Sequence, residues 1–402
     1  MRNRILILGG SKFQVPLIRL AGQRGLHVIT CDYLPENPGH RLANEYHNVS
    51  TTDKDAVLAL ARRVGIDAVA SLSSDPAMQT LAYVANALGL PGPRLDGVVK
   101  LTEKDALRQL MSDTGLRTPG RHVICAAEAA DADDVAAMLA AGGARYIVKP
   151  VDSAGSRGVT VLEPGGGDFA AALQRALAHS RAGRCIVEEY IDGDQLHGDG
   201  FLQDGRLVHH YLGDQGFLAG TQDSVPTSTY WPSRYDEAVH SEVARQVEAI
   251  AQASGHLDGP VNIEARVTPA GEVFIIEVGP RNGGDYIPII QHRLTGFEFV
   301  GKVLESALGI RPRVGADPPR RGIGVCHALH AERDGRYAGF EASEAIRKNL
   351  FLIDIFRQPG DPVRCHQGAG SSLGVALLEF DSVAERDRLM GGVASHLRAA
   401  VQ

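Results

Sequence analysis

The sequence predicts an α/β chain of two or three packed units, and three observations lead there. Between Arg4 and Leu90, short apolar runs (ILIL, HVIT, DAVAS) alternate with segments of helical period, the β-α-β-α order of a parallel sheet. From Pro119 to about Gly309 the pattern turns mainly to strands in hairpin-like order. The 402 residues also exceed what one hydrophobic core usually supports.

Helices are expected first at residues 13–25, 54–65 and 75–88. The turn Gly9-Gly10-Ser11 and the acidic Asp32 after the second strand invite a dinucleotide fold. The turn reads GGSKFQ, however, without G-x-G-x-x-G, so NAD is discounted. Pro91-Gly92-Pro93 breaks the pattern and marks a domain boundary. Thr102 with Asp105 resembles a variant capping box opening a helix in LTEKDALRQLMSDTGL, which closes at Gly115 ahead of Pro119. Later helices are expected at 133–141, 168–180 and 237–254. After about Ile310 the runs GIGVCHAL, LFLIDIF and LGVALLEF read as strands, and a helix starts at Val383.

A formal charge of −7 with no basic run argues against a duplex nucleic-acid binder and for small-molecule partners. No apolar run approaches the ~20 residues of a membrane span. The start, MRNRILILGG, is too short an apolar stretch for a signal peptide and lacks a cleavage site, so a cytoplasmic enzyme is expected. The five cysteines, Cys31, Cys125, Cys185, Cys326 and Cys365, are scattered and odd in number, which suits reduced core thiols. Cys326-His327, His330 and Cys365-His366 can be read as a metal site, although their spacing matches no zinc pattern.

The stretch YIVKPVDSAGSRGVTVL places Lys149 at the end of an apolar strand, before a loop of small residues and a second strand. Small residues let backbone N–H groups approach an anion, and the lysine adds a point charge for phosphate. A P-loop has its lysine after the glycines and opens a helix, so this loop is instead a flap between strands. An ordinary hairpin with a surface lysine is the alternative. About forty residues on, CIVEEYIDG is an apolar strand ending in two acids and an aromatic. Such an edge offers main-chain partners for a purine base and acceptors for its amino group and ribose, although acids at a strand end also serve as a solvated rim.

The sharper constellation is VNIEARVTPAGEVFIIEVGPRNGGDY. Thr268-Pro269-Ala270-Gly271 is a turn between strands that should pair as a hairpin. A two-residue loop sets Glu264 opposite Ile275 and Asn262 opposite Glu277. All four then share one face, with the glutamates diagonal and about 5–8 Å apart. Two carboxylates so placed can bridge one or two Mg2+ ions; scattered acids on a solvent face are the alternative.

Taken together, Lys104, Lys149 with its flap, Glu188-Glu189-Tyr190-Ile191 and Glu264…Glu277-x-Gly-x-Arg281-Asn-Gly-Gly resemble the ATP-grasp superfamily in order and spacing. The resemblance covers nearly the whole chain and is to the carboxylate–amine or amino-acid ligase type. It implies an α/β ATP-grasp fold with an N-terminal Rossmann-like (pre-ATP-grasp) domain at 1–95. An ATP-grasp domain follows at 96–309, with a lid lobe at about 120–190, and a small C-terminal α+β domain at 310–402. It implies phosphorylation of a carboxylate by ATP to an acyl phosphate, then attack by an amine with release of ADP and phosphate. Lys104 and Lys149 would contact the phosphates, under a flap carrying Ser153, Gly155, Ser156 and Gly158. Glu188, Glu189, Tyr190 and Ile191 would hold adenine, and Asp194 or Gln195 the ribose. Glu264 and Glu277 would bind Mg2+, with Mn2+ as an alternative, and Arg281 would stabilise charge developing in the reaction. A homodimer acting on a small carboxylate and an amine, with no nucleic-acid or membrane partner, is expected.

Family members usually read Glu-x-Asn-Pro-Arg where this chain reads Glu277-Val278-Gly279-Pro280-Arg281, so one metal ligand is missing. Asn262, Asn282 or a water can supply the lost oxygen. Candidates for the substrate site are Gly9, Gly10 and Ser11, His197, residues 221–231 with Trp231, and Arg281, Asn282, Gly283 and Gly284 through Tyr286. His197 beside Asp199, and His209-His210, are either contacts or histidines satisfied within a sheet. Trp231 in STYWPSRY either covers the site or packs. Besides the ligase, two readings stay open: activation of bicarbonate or formate for transfer to nitrogen, and a nucleotide-binding module without catalysis.

Overall fold

The computed structural model describes residues 4–125, 129–165, 167–218, 225–315, 321–365 and 372–402. Strands β1 (Arg4–Leu8), β2 (His27–Cys31), β3 (Glu45–His47) and β4 (Ala68–Ala70) form a parallel sheet in the order β3-β2-β1-β4. Side chains alternate along β1, so Ile5 and Ile7 enter one layer and Leu6 and Leu8 the other. Both layers are covered by helices, which is why the run is apolar throughout. Helices Lys54–Val64, Asp75–Leu88 and Leu95–Thr102 cover the Leu6 and Leu8 face. The other face is covered by helix Val15–Gln23 together with helix Phe299–Ala307, through Val300, Val303 and Leu304. A segment beyond residue 96 therefore completes the core of the first sheet.

The capping box expected at Thr102 is not formed. Helix Leu95–Thr102 ends there, and the Thr102 hydroxyl donates back to the Val98 carbonyl at 2.9 Å. A separate helix, Lys104–Asp113, begins after Glu103 and carries Lys104 and Arg108.

The next lobe is an antiparallel sheet of β5 (Arg121–Cys125), β6 (Tyr146–Pro150), β7 (Thr160–Leu162) and β8 (Arg184–Glu189), ordered β5-β8-β6-β7. Helices Ala129–Ala141 and Phe169–Ala178 pack Val135, Leu139, Phe169 and Ala172 onto Val148 and Val187. Asp168 caps the second helix by accepting from Ala171 N at 3.0 Å.

Strands β9 (Asp194–Gln203), β10 (Arg206–His210), β11 (Gly213–Phe217), β12 (Pro226–Trp231), β13 (Gly259–Val267) and β14 (Val273–Gly279) build the central sheet. It continues through β15 (Ile323–Leu329), β17 (Leu350–Ile355) and β19 (Gly374–Phe380), giving nine strands ordered β14-β13-β9-β11-β12-β15-β19-β17, with β10 on β9. The chain after 310 thus extends this sheet through β12–β15 pairing. Its remaining strands, β16 (Gly335–Ala342), β18 (Pro362–Val363) and β20 (Leu397–Val401), form a small sheet of their own. Helix Glu237–Ser254, capped by Asp236 and closed at the left-handed Gly255, seats Val243, Val247 and Ile250 against β13 and β14.

Candidate active site

The β13–β14 hairpin sets the site, and its register departs from the expected one in two places. The loop holds three residues, not two: Val267 faces Val273, the Thr268 amide closes the loop by donating to the Glu272 carbonyl at 2.9 Å, and Gly271, at φ 78, donates to the Thr268 carbonyl. A bulge then leaves Ile276 unpaired. Each irregularity shifts the partner by one, so together they preserve the face. Glu264 lies directly opposite Glu277 and not diagonal to it, and Asn262 faces Gly279 and not Glu277. The surplus Ile276 carbonyl accepts from Arg108 Nη2 at 2.9 Å.

These acids open into a cavity of about 320 Å³ between the hairpin, the lid lobe and the first sheet. Gln195 Nε2 donates to Glu264 at 2.9 Å, while Lys104 and Arg281 each stand 3.8 Å from Glu277. Burial first, and the facing Glu277 second, raise Glu264 above the usual carboxylate range. Arg281 forks onto Asp75, with Nε donating to Oδ1 at 2.6 Å and Nη2 bonded to Oδ2. A Cβ at Gly279 would come within 3.2 Å of Arg281 Cζ and 3.3 Å of Asp75 Oδ1. A side chain at this position would require that pair to give by a few tenths of an ångström.

Lys149 and Glu188 meet at 2.6 Å, and Arg108 Nε reaches the other Glu188 oxygen at 2.6 Å, all three buried. Burial would raise Glu188, but Arg108 and then Lys149 outweigh it and hold the carboxyl at about 2. The Glu188 side chain, which itself lines the cavity, is therefore committed to two cations. Glu189, Tyr190 and Ile191 line the cavity beyond it. Arg145 and Arg266 stack over the Tyr190 ring, at 4.3 and 4.5 Å from its centroid. Lys104 Nζ donates to the Ser153 carbonyl at 2.8 Å, tying the flap to the helix that carries Lys104.

A buried polar bed underlies the acids. Asn262 Nδ2 donates to His197 Nε2 at 3.1 Å and to Asp199 Oδ1 at 3.0 Å. With Nε2 accepting, His197 Nδ1 carries the proton and donates to Thr229 Oγ1 at 3.0 Å. Burial pushes His197 down to about 4. Asp199, lifted to about 6 by burial, also accepts from Asn282 Nδ2 and the Gly283 amide.

Of the expected site residues, the cavity brings together Lys104, Lys149, Ser153, Gly155, Ser156, Gln195, His197, Asn262, Glu264, Glu277, Arg281 and Gly284. Others lie apart from its lining. Asp194 sits on the β9 end, accepting from Tyr235 OH at 2.8 Å. Gly158 packs under His179 and Pro150, where a Cβ would come within 2.9 Å of either. Gly10 donates to Asp32, and Ser11 to Gln14. Asn282 and Gly283 serve Asp199 from below. Trp231 does not cover the site: it is fully buried with Tyr211, Ile287 and Ile290, its Nε1 donating to the Tyr211 carbonyl at 2.9 Å. His209 stacks on Phe297 at 4.0 Å, in the core. Residues 221–224 and His366 lie outside the described residues. Among the described residues, no group of three His, Cys, Asp or Glu side chains gathers as a metal site.

Asp75 and Arg108 were not picked out in the sequence. Asp75 opens a helix as Ser-Asp-Pro, an ordinary helix start. Arg108 has only the faint signal of a cation beside Leu107 and Met111, both buried. The described backbone has five non-glycine residues at positive φ. Ser73, Ser156 and Asp285 line this cavity, Tyr286 adjoins it, and only Asp204 lies elsewhere, in a turn.

Fold, flap, lysines and opposed acids together define an ATP-grasp enzyme. The family described as ATP-grasp domain matches residues 143–289. The chain is 30% identical over 395 residues to the formate-dependent phosphoribosylglycinamide formyltransferase of Paraburkholderia xenovorans, covering 96% of this chain and 94% of that one. It is 26% identical over 339 residues to an uncharacterized protein, y4rH, of Sinorhizobium fredii, covering 79% of this chain and 66% of that protein's length. The crystal structure of an L-amino acid ligase from Bacillus licheniformis matches over the whole of both chains with a TM-score of 0.81 at 20% identity. The chain belongs to the ATP-grasp family.

Proposed function

We propose that this protein is an ADP-forming ligase that joins a small carboxylate to an amine. The observation that carries the reading is the pair Glu264 and Glu277, directly opposed on one hairpin face inside a cavity that Lys104, Lys149 and Arg281 also enter. Two half-buried carboxylates facing each other favour a cation between them, and oxygen donors suit Mg2+ or Mn2+. Asn262 commits its Nδ2 to His197 and Asp199, leaving Oδ1 as the further donor. Asn282 is turned to Asp199 outside the lining, so Asn262 or water replaces the asparagine that relatives carry at position 279. The ion, when bound, neutralises phosphate charge.

Lys104 and Lys149 hold the phosphates, and Ser153, Gly155 and Ser156 close over them. Glu189, Tyr190 and Ile191 border the base, and Gln195 the ribose. A carboxylate oxygen attacks the γ-phosphorus as its bond to ADP breaks. The amine nitrogen then attacks the acyl carbon, phosphate leaves with the C–O electron pair, and the nitrogen loses a proton. Arg281, fixed by Asp75, stabilises the charge that develops. An adjoining cavity of about 590 Å³ shares Asp75, Lys104, Ser153 and Glu277 and offers room for the second reactant.

Activation of formate or bicarbonate is the second reading, supported by the relative named as formate-dependent. An ADP-release screen over carboxylates, amines, formate and bicarbonate separates the two. Turnover only with formate or bicarbonate overturns the first, and no ADP release with any pair overturns both. No described helix is long and apolar enough to cross a membrane. Cytoplasmic placement and a homodimer belong to the same reading, the latter checked by light scattering.

A further inference from the structure

Asp285 lines the cavity, yet the chemistry above gives it no task. Asp75 is engaged by Arg281, Glu188 by Arg108 and Lys149, and Glu264 by Gln195. Among the described residues the Asp285 carboxylate takes part in no hydrogen bond or salt bridge. Lys12 is the cation whose charge reaches it, and burial lowers Lys12 to about 7, so compensation at neutral pH is partial. Burial correspondingly raises Asp285 above the usual carboxylate range.

The backbone is held in place against its preference. Asp285 and Tyr286 are successive left-handed residues, at φ 50 and 62, a conformation that non-glycine residues seldom adopt. Cys326 Sγ donates to the Asp285 carbonyl at 3.1 Å, and Tyr286 OH donates to Asp354 at 2.5 Å with its ring against Phe13. Helix capping does not explain the acid: the helix Ile287–Thr295 begins here without a side-chain cap. Its neighbours in the wall, Ile287 and Cys326, are apolar. An unpaired carboxylate in such a wall calls for a cationic partner from the ligand.

We propose that Asp285 receives the ammonium group of a substrate, so that at least one reactant is an amino compound such as an amino acid. The assignment rests on the ligase reading. The ammonium belongs either to the carboxylate donor or to the acceptor amine before it loses its proton.

Asp285→Asn is the test, because asparagine keeps the size and tolerates the left-handed conformation, leaving charge as the main loss. The probes are common amino acids, each compared with its des-amino carboxylate, across a panel of acceptor amines. A hydrogen bond to a charged group is worth about 1.5–3 kcal/mol, so kcat/KM for the ammonium-bearing substrate should fall about 10- to 150-fold. The KM for ATP should move less than about twofold. If the donor carries the ammonium, the loss vanishes with des-amino donors; if the acceptor does, it persists with them and varies with the acceptor. An equal loss on every arm, or none, overturns the proposal while ADP release by the unaltered enzyme keeps the ligase reading. A silent unaltered enzyme overturns that reading and this one with it. Calorimetry on the unaltered enzyme covers a variant that fails to fold: equal affinity for amino and des-amino forms on both sides overturns the assignment.

Discussion

Arg108→Met removes the cation beneath the flap lysine and keeps the length of the side chain. Arg108 is fully buried and serves two acceptors, Glu188 at 2.6 Å and the unpaired Ile276 carbonyl of the bulge at 2.9 Å. Breaking a buried ion pair from one side costs about 3–5 kcal/mol, and an orphaned carbonyl about 1–3 kcal/mol. Since Lys149 still compensates Glu188, we expect a loss of about 4 kcal/mol, read as a lower urea midpoint at constant slope. Function should move too. Glu188 would draw Lys149 more tightly and away from a nucleotide, raising the KM for ATP about tenfold. Adding Glu188→Gln removes the uncompensated charge, so the double variant should be more stable than the two single losses predict by about 1–3 kcal/mol. A loss below about 1 kcal/mol, or strict additivity, would refute the buried triad.

Glu277→Gln should abolish Mg2+-dependent ADP release while equilibrium binding retains some nucleotide affinity; activity surviving at ordinary Mg2+ would remove this residue from the metal site. Trp231→Phe deletes a buried hydrogen bond and ring volume, so it should cost about 1–3 kcal/mol and leave substrate KM values unchanged; a large KM change would return Trp231 to the site. His209 is pushed to about 3 by burial, then His210 and Lys302, and its Nε2 is buried without a partner among the described residues. Its folded value lies below the ordinary 6.5, so the unfolded chain takes up the proton first, and stability falls as pH drops from about 6.5 towards 3. His209→Phe, stacking on Phe297 in the same place, should flatten that fall in urea midpoints; an unchanged pH dependence would show that other groups dominate.

The period of the apolar pattern determined the parallel first sheet, because a strand buried on both faces must be apolar at every position. Alternation along β13 and β14 likewise determined that Glu264 and Glu277 share a face, and the order of lysine, flap and acids determined the family. What local pattern does not encode is the partner. The register changed because a left-handed Gly271 and a bulge at Ile276 each add a residue, and two such shifts leave the face intact while moving every pair. Closure of the first sheet by Phe299–Ala307, and the meeting of Asp75 with Arg281, join segments distant in the chain. Glu188 reads as a strand-end acid until Arg108 and Lys149 are seen on either side of it. Trp231 reads as a loop aromatic until β12 places it in the core. In each case a side chain's role follows from which charges or apolar surfaces converge on it, and only tertiary packing decides that.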